Sequence, residues 1–366
     1  MSHPLSRSFF VGGRYIADEN GEHTMIGQMH VRRFGDSSAG CVPVVLFHGG
    51  GQTGAYYEQT PDGRPGFAER LAAHGRAVYV VDLPGVGRSR YHEPTHGRLA
   101  HFSAEGLERI FTATAVHGGW PQAARHTQWP GTGRIGDPTF DAFYASQVGY
   151  YTDLERTEPL WRAAGAAIVT KIGACYLVTH SQSGPVGWHI ADQCPGLVRG
   201  IVAMEPKGPP FFDVSADHAK AVPQRRYGIT STPLTYDPPL DDAARSLEFE
   251  TESAPSADEP INNVHQPAPG RKLKNLRRTP VLIVTGEASY HANYDHLTAK
   301  FLHEAGVPVE YANLAEHGIH GNGHLMTLES NNDQIAQFIA RWLDHQGATS
   351  TSPEDHDSQA NARCAR

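Results

Sequence analysis

Apolar runs and helical stretches alternate along this chain in a strand–helix–strand rhythm. The first 35 residues read as a β-hairpin, "SRSFFVGGRYI" and "TMIGQMHVRRF" joined by a turn rich in Gly, Asn and Asp. "CVPVVLFHGGG" follows, a continuous apolar run closed by glycines, as suits a central parallel strand buried on both faces. "GFAERLAAHG" has helical spacing and ends at Gly75, and "RAVYVVDLPGVGRS" is a second buried strand with a glycine-rich exit. Strand, helix and strand in that order predict a βαβ unit in a parallel sheet covered by helices.

The rhythm returns further on. "LWRAAGAAIVTKIG" predicts a helix, "ACYLVTH" a strand, "PVGWHIADQC" a helix and "LVRGIVAMEP" a strand. "TPVLIVTGEAS", "ANYDHLTAKFLHEAG", "PVEYANLAEHG" and "NDQIAQFIARWLDHQ" add two more strand–helix units. Two segments interrupt it. Residues 91–148 are rich in His, Gly, Pro and aromatics, and residues 207–277 in prolines and acids. Both leave the C-terminal ends of strands, where open α/β sheets place their binding crevice. They are expected to be insertions roofing a site, with a composition that allows partial mobility. The core is then 8–90, 149–206 and 278–346. The tail, 347–366, has almost no apolar content and is expected to be disordered.

The bulk composition narrows the function. A chain of 366 residues buries a large core. A net charge of −8 argues against nucleic acid or an anionic membrane as the main partner. No apolar stretch approaches the ~20 residues of a membrane span. "RKLKNLRR" at 271–278 reads as the end of a linker, not a phosphate site. The start lacks the apolar core and cleavage site of a secretory signal, and the four cysteines lack C-x-x-C spacing. Together these predict a cytoplasmic protein with reduced thiols.

Four separated signals converge on the C-terminal edge of the sheet. In "ACYLVTHSQSGPVGW" a buried strand runs into a turn carrying two serines. A nucleophile elbow needs small residues two positions either side of the attacking serine. Ser181 has Thr179 before and Ser183 after, whereas Ser183 would place Pro185 in the crowded position. Ser181 is therefore the better nucleophile. In "FHGGG" the glycines let backbone amides approach an oxyanion, so the predicted hole combines the amide of Gln182 with that of Gly50 or Gly51. "EHGIHGNGHLMTLE" offers three loop histidines as general base: His317, His320 and His324. His324, just before the last helix, is preferred.

The orienting acid departs from the commonest arrangement. After "VLIVTG" comes Glu287, and no aspartate until Asp295. Glu205 instead ends "GIVAMEP", held extended by Pro206, and a carboxylate at a buried strand end needs a partner such as an imidazole. Glu205 leads, Asp295 is second, and Glu287 reads as an exposed or structural carboxylate. His180 reads as packed beneath the elbow. "DLPGVGRS" lacks the lysine of a phosphate loop, and the 22 histidines show no H-E-x-x-H spacing, so neither cofactor nor metal is expected.

With these residues placed, the chain resembles the α/β-hydrolases over nearly all of 8–346. More narrowly it resembles the atypical bacterial carboxylesterases of the esterase 713-like family, through "TPDGRPGFAERLAAHGRAVYVVDLPGVGRS", "THSQSG", "AMEP" and "HGNGHLMTLESNND". The resemblance implies a mostly parallel sheet with helices on both faces and inserted cap segments, a homodimer, and Ser181, Glu205 and His324 as nucleophile, acid and base. The expected activity is cleavage of a small-molecule carboxylic ester through an acyl-enzyme. The same triad also serves lactonases, amidases and C–C hydrolases, and a non-catalytic ligand-binding homologue is the rival outside enzymes.

Overall fold

Eight strands hydrogen-bond into one sheet in the computed structural model of the protein, which describes residues 8–38, 40–241, 246–254 and 261–349. They are β1 (Ser8–Ala17), β2 (His23–Phe34), β3 (Val44–Phe47), β4 (Val78–Asp82), β5 (Cys175–His180), β6 (Val198–Met204), β7 (Val281–Thr285) and β8 (Val309–Asn313). Their order is β1-β2-β4-β3-β5-β6-β7-β8. The six from β3 onward are parallel, while the β1–β2 hairpin joins antiparallel to β4. Every residue of β3, β5 and β7 is buried, as continuous apolar runs predict for strands covered on both faces.

Five helices provide the cover: α1 (Phe67–Ala72), α2 (Leu154–Ile172), α3 (Gly184–Gln193), α4 (Asp295–Glu304) and α5 (Asn332–Thr349). Successive strand residues serve opposite faces. Val45, Phe47, Leu177, Ile201 and Ile283 pack with Trp161 of α2, Ile190 of α3 and Phe301 of α4. Val44, Leu46, Val178, Val202 and Leu282 pack instead with Phe67 and Leu71 of α1 and Ile335 and Ile339 of α5. Each such buried side chain contributes roughly 1.5–3 kcal/mol. Gly165 lets α2 and α3 touch, since a Cβ there would lie 2.3 Å from Ile190 Cδ1. Among the described residues no helix is long and apolar enough to cross a membrane.

Two sequence expectations need correcting. Cys194, at the end of α3, is disulfide-bonded, while Cys41 and Cys175 are free. Spacing along the chain does not reveal which cysteines meet in space, so uniformly reduced thiols were the wrong reading. Helix α5 also continues through Thr349, beyond the expected end of order at 346. The rest of the expected tail lies outside the described residues.

The segment between β4 and α2 is built of short helical turns, of which Pro138–Ala145 is the longest, and of one strand pair, Leu99–Ala100 with Tyr150–Tyr151. The segment between β6 and β7 contains three small antiparallel pairs, Phe212–Val214 with Ala221–Pro223, Tyr236–Asp237 with Lys272–Leu273, and Glu250–Glu252 with Asn263–His265. Its Ile229, Leu234 and Tyr236 join the core cluster over α2 and α3. Glu158 of α2 ties it down. That buried carboxylate accepts from the amides of Ser231 and Thr232 and from the Thr232 hydroxyl, and lies 3.0 Å from His189 Nε2 of α3. Burial works to raise its pKa, but His189 and these donors together hold it below the usual range. Glu158→Ala should therefore cost about 3–5 kcal/mol by stranding buried partners, and Glu158→Gln less, as read by urea unfolding. An unchanged midpoint for the alanine variant would contradict this anchoring.

Candidate active site

β5 ends at His180, and the chain turns through Ser181–Ser183 directly into α3. Ser181 sits at φ 54°, a left-handed conformation that costs a non-glycine residue roughly 1–2 kcal/mol. Three contacts hold it there. The Ser183 hydroxyl is fully buried, accepts the His180 amide and lies 2.9 Å from both the His180 and Phe47 carbonyls. Lys207 donates its amide to the Ser181 carbonyl at 2.9 Å. Gly184 lets the turn rest on the chain after β6, because a Cβ there would meet Pro206 Cβ at 2.8 Å. Of the two serines, one is therefore a structural pin and the other faces the cavity at the sheet edge.

Glu205 follows β6 at the left-handed φ of 45°, not extended as the following Pro206 predicts, with its side chain fully buried. Oε1 accepts the Gly286 amide at 2.7 Å, and Oε2 accepts the Ser289 hydroxyl at 2.6 Å. His324 Nδ1 lies 2.5 Å from the same Oε2. His324 and Ser181 line one cavity, and His180 Nε2 donates to the His324 carbonyl at 2.9 Å, tying the two loops together. Burial, followed by the neighbouring His180 and His291 imidazoles, holds the His324 pKa well below the ordinary histidine value. Burial also pushes the His180 imidazole down to about 4, so it remains a neutral donor. For Glu205, burial and the Asp295 charge push its pKa up, against Ser289 and Gly286.

The remaining sequence candidates take other places. Asp295 accepts from Thr285 Oγ1 at 2.7 Å and lies 2.9 Å from His291 Nδ1. It thus orients a second imidazole, which stacks on His324 with centroids 4.8 Å apart. Glu287 accepts the Gly321 amide and sits 3.3 Å from the exposed His320, while His317 packs on Phe338. Gln182 and Gly50 line the cavity, joined by Gly49, whose hypothetical Cβ would lie 3.2 Å from Ser181 Cβ. Gly51, at φ 76°, abuts Phe102 and Gln147 instead.

Several contributors escaped the sequence reading. His48 pins the glycine turn, with Nδ1 2.9 Å from the Gly49 carbonyl and Nε2 accepting the Leu83 amide. Ser289 completes the Glu205 environment, and Phe111 stacks on His324 at 5.1 Å. Glu329 is buried beneath the loop that carries His324. It accepts the Gly323 amide and Asn322 Nδ2, and lies 2.8 Å from His126 of the segment between β4 and α2. Arg64 clamps the same loop through the carbonyls of Leu328 and Glu329. Only the H-G-G-G pattern could have flagged one of these, His48. Glu205, His291 and His324 bring donor atoms within 4.8 Å of one another, a spacing open to a divalent cation, but the Glu205 oxygens already serve three donors.

The two serines should respond to mutation in opposite senses. Ser181→Gly should raise stability by roughly 1 kcal/mol, since glycine accepts positive φ freely. Ser183→Ala should lower it by about 1–3 kcal/mol by stranding the buried His180 amide. Chemical denaturation of both variants reads the difference, and loss of stability in both would contradict the strained turn.

Residues 44–338 match the alpha/beta hydrolase family. A probable secreted lipase of Fungal sp. (strain ATCC 74256) is 42% identical over 339 residues, 92% of this chain and 89% of that one. Among solved structures, a novel bacterial esterase aligns with a TM-score of 0.62 at 22% identity, covering 94% of this chain and 96% of that one. The cytoplasmic expectation is overturned by the relative named as secreted, and the Cys194 disulfide agrees with that correction. The family match, with six parallel strands and a strand–turn–helix carrying Ser181 at positive φ, establishes that the chain belongs to the alpha/beta hydrolase family.

Proposed function

We propose that this protein is a secreted serine ester hydrolase acting through Ser181, His324 and Glu205. The observation that carries the reading is the 2.5 Å contact between His324 Nδ1 and the Glu205 carboxyl, in a cavity that Ser181 also lines. With Nδ1 committed, Nε2 is the nitrogen left to take the serine proton. Ser181 Oγ attacks the ester carbonyl, and His324 receives its proton while Glu205 stabilises the resulting imidazolium. The amides of Gln182 and Gly50 stabilise the oxyanion, at about 3 kcal/mol per donor. The imidazolium protonates the departing alcohol, leaving an acyl group on Ser181. Water, deprotonated by His324, then releases the acid. Secretion is supported by the name of the 42% identical relative and by the disulfide. All the residues named lie in one chain, so the mechanism requires no second copy.

A fluorophosphonate probe should label the wild-type protein at Ser181 and leave Ser181→Ala unlabelled. Glu205→Gln should lower kcat on a p-nitrophenyl ester by about 10³–10⁴-fold. Asp295→Asn, acting one imidazole away, should cost no more than about 10–100-fold. The reverse ranking would move the acid to Asp295.

The pH profile follows from the lowered His324 pKa. The neutral imidazole is the working form of a general base, so lowering its pKa extends activity toward acid. The kcat/KM plateau should persist through about pH 6.5, the ordinary histidine value, and fall only below it. An acid limb centred at or above that value would contradict the buried base.

A further inference from the structure

One wall of the cavity carries an unbalanced positive charge. Lys207 lies two residues beyond Glu205 and is among the residues that line the cavity. Its ammonium stands 2.7 Å from Asp213 Oδ2. The other oxygen of Asp213 is taken by Arg225 Nη1 at 2.5 Å. Arg225 is fully buried, its Nη2 donates to the Pro209 carbonyl, and its Nε has no partner. Two cations therefore share one carboxylate, leaving one positive charge over.

No other acid on the cavity wall supplies the balance. Lys207 and Asp213 are the only Lys, Arg, Asp or Glu residues lining it among the described residues. Glu205 and Asp295 are fully buried, and their oxygens are engaged by Gly286, Ser289, Thr285, His324 and His291. The remaining wall mixes Phe102, Phe111, Tyr150, Tyr290 and Tyr294 with glutamines, histidines and glycines, none of which carries a compensating negative charge. Arg225 is fully buried, where a charge is costly unless paired, while the Lys207 side chain keeps 27% of its surface exposed. An ammonium has three donors, of which Asp213 takes one. Burial pushes the Lys207 pKa below the usual lysine value, with Asp213 opposing the shift and Arg225 adding to it.

We propose that Lys207 binds a free carboxylate of the substrate, so that the enzyme prefers esters bearing an anionic carboxylate, such as half-esters of dicarboxylic acids. This rests on Ser181 being the nucleophile of an ester hydrolase. Lys207 is close to the reacting centre, since its own amide holds the Ser181 carbonyl. A carboxylate a few methylenes from the scissile carbonyl would complete the charge balance while the ester lies at Ser181.

The test compares monoethyl succinate, glutarate and adipate with their diethyl counterparts on the wild-type protein. At least one half-ester should exceed its diester in kcat/KM by about 10-fold or more, chiefly through KM, as expected for a charge-assisted hydrogen bond. Lys207→Met should collapse that ratio toward unity, Lys207→Arg should retain most of it, and raised salt should shrink it. If diesters or p-nitrophenyl esters are cleaved with no half-ester preference, the carboxylate proposal falls and the ester reading stands. If no ester is cleaved, the ester reading falls, and adipate binding by calorimetry then decides on Lys207. Binding by the wild type that Lys207→Met loses would support the carboxylate site, and no binding by the wild type would end it.

Discussion

The contact between Glu205 and His324 is the one on which the arrangement of the site depends. It joins the end of β6 to the loop before α5 across 119 positions of sequence, and only a correctly ordered sheet brings the two together. A carboxylate buried this completely is tolerable only where donors surround it. The Gly286 amide and Ser289 hydroxyl supply two, both from the chain just after β7. Three parallel elements thus converge on one carboxyl group. If the register between β6 and β7 slipped by a residue, alternation would turn side chains to the opposite face and undo the cluster.

The backbone carries strain at two of the three candidate catalytic residues. Ser181 and Glu205 both occupy positive φ, where a side chain is disfavoured. The surroundings that impose these conformations also link them. The Ser181 carbonyl accepts the Lys207 amide, and Gly184 packs against Pro206, so the two strained turns brace one another across the sheet edge. The geometry is thus set by neighbouring strands, and the loops carry it without defining it.

The sheet was largely legible in the sequence because its signal is local. Continuous apolar runs such as "VVLF" and "VLIVT" leave no polar face, and helical spacing between them fixes parallel crossovers. Ser181 was legible from steric need, Thr179 and Ser183 being small where a tight turn requires it. Glu205 was legible because a glutamate closing a buried strand must be partnered. What was hidden is whatever depends on distance in space alone. Nothing near Asp295 announces that it serves His291 and not His324, since the two imidazoles stack across a gap of 33 residues. Which glycine of the H-G-G-G turn packs nearest Ser181 was likewise hidden, since an added Cβ at Gly49 would meet Ser181 and one at Gly51 would meet Phe102. The cysteines failed for the same reason, as connectivity is a property of the folded chain.

The buried pair of His126 and Glu329 has a consequence for how such enzymes diversify. Glu329 holds the loop that carries His324, and His126 reaches it from the segment between β4 and α2. That segment is consequently not an exchangeable module laid over a finished sheet edge. Replacing that segment wholesale would strip Glu329 of a partner and loosen the loop of His324 along with it. In this lineage, new substrate pockets would then have to arise by substitutions that spare the tether, or by paired changes on both sides of it.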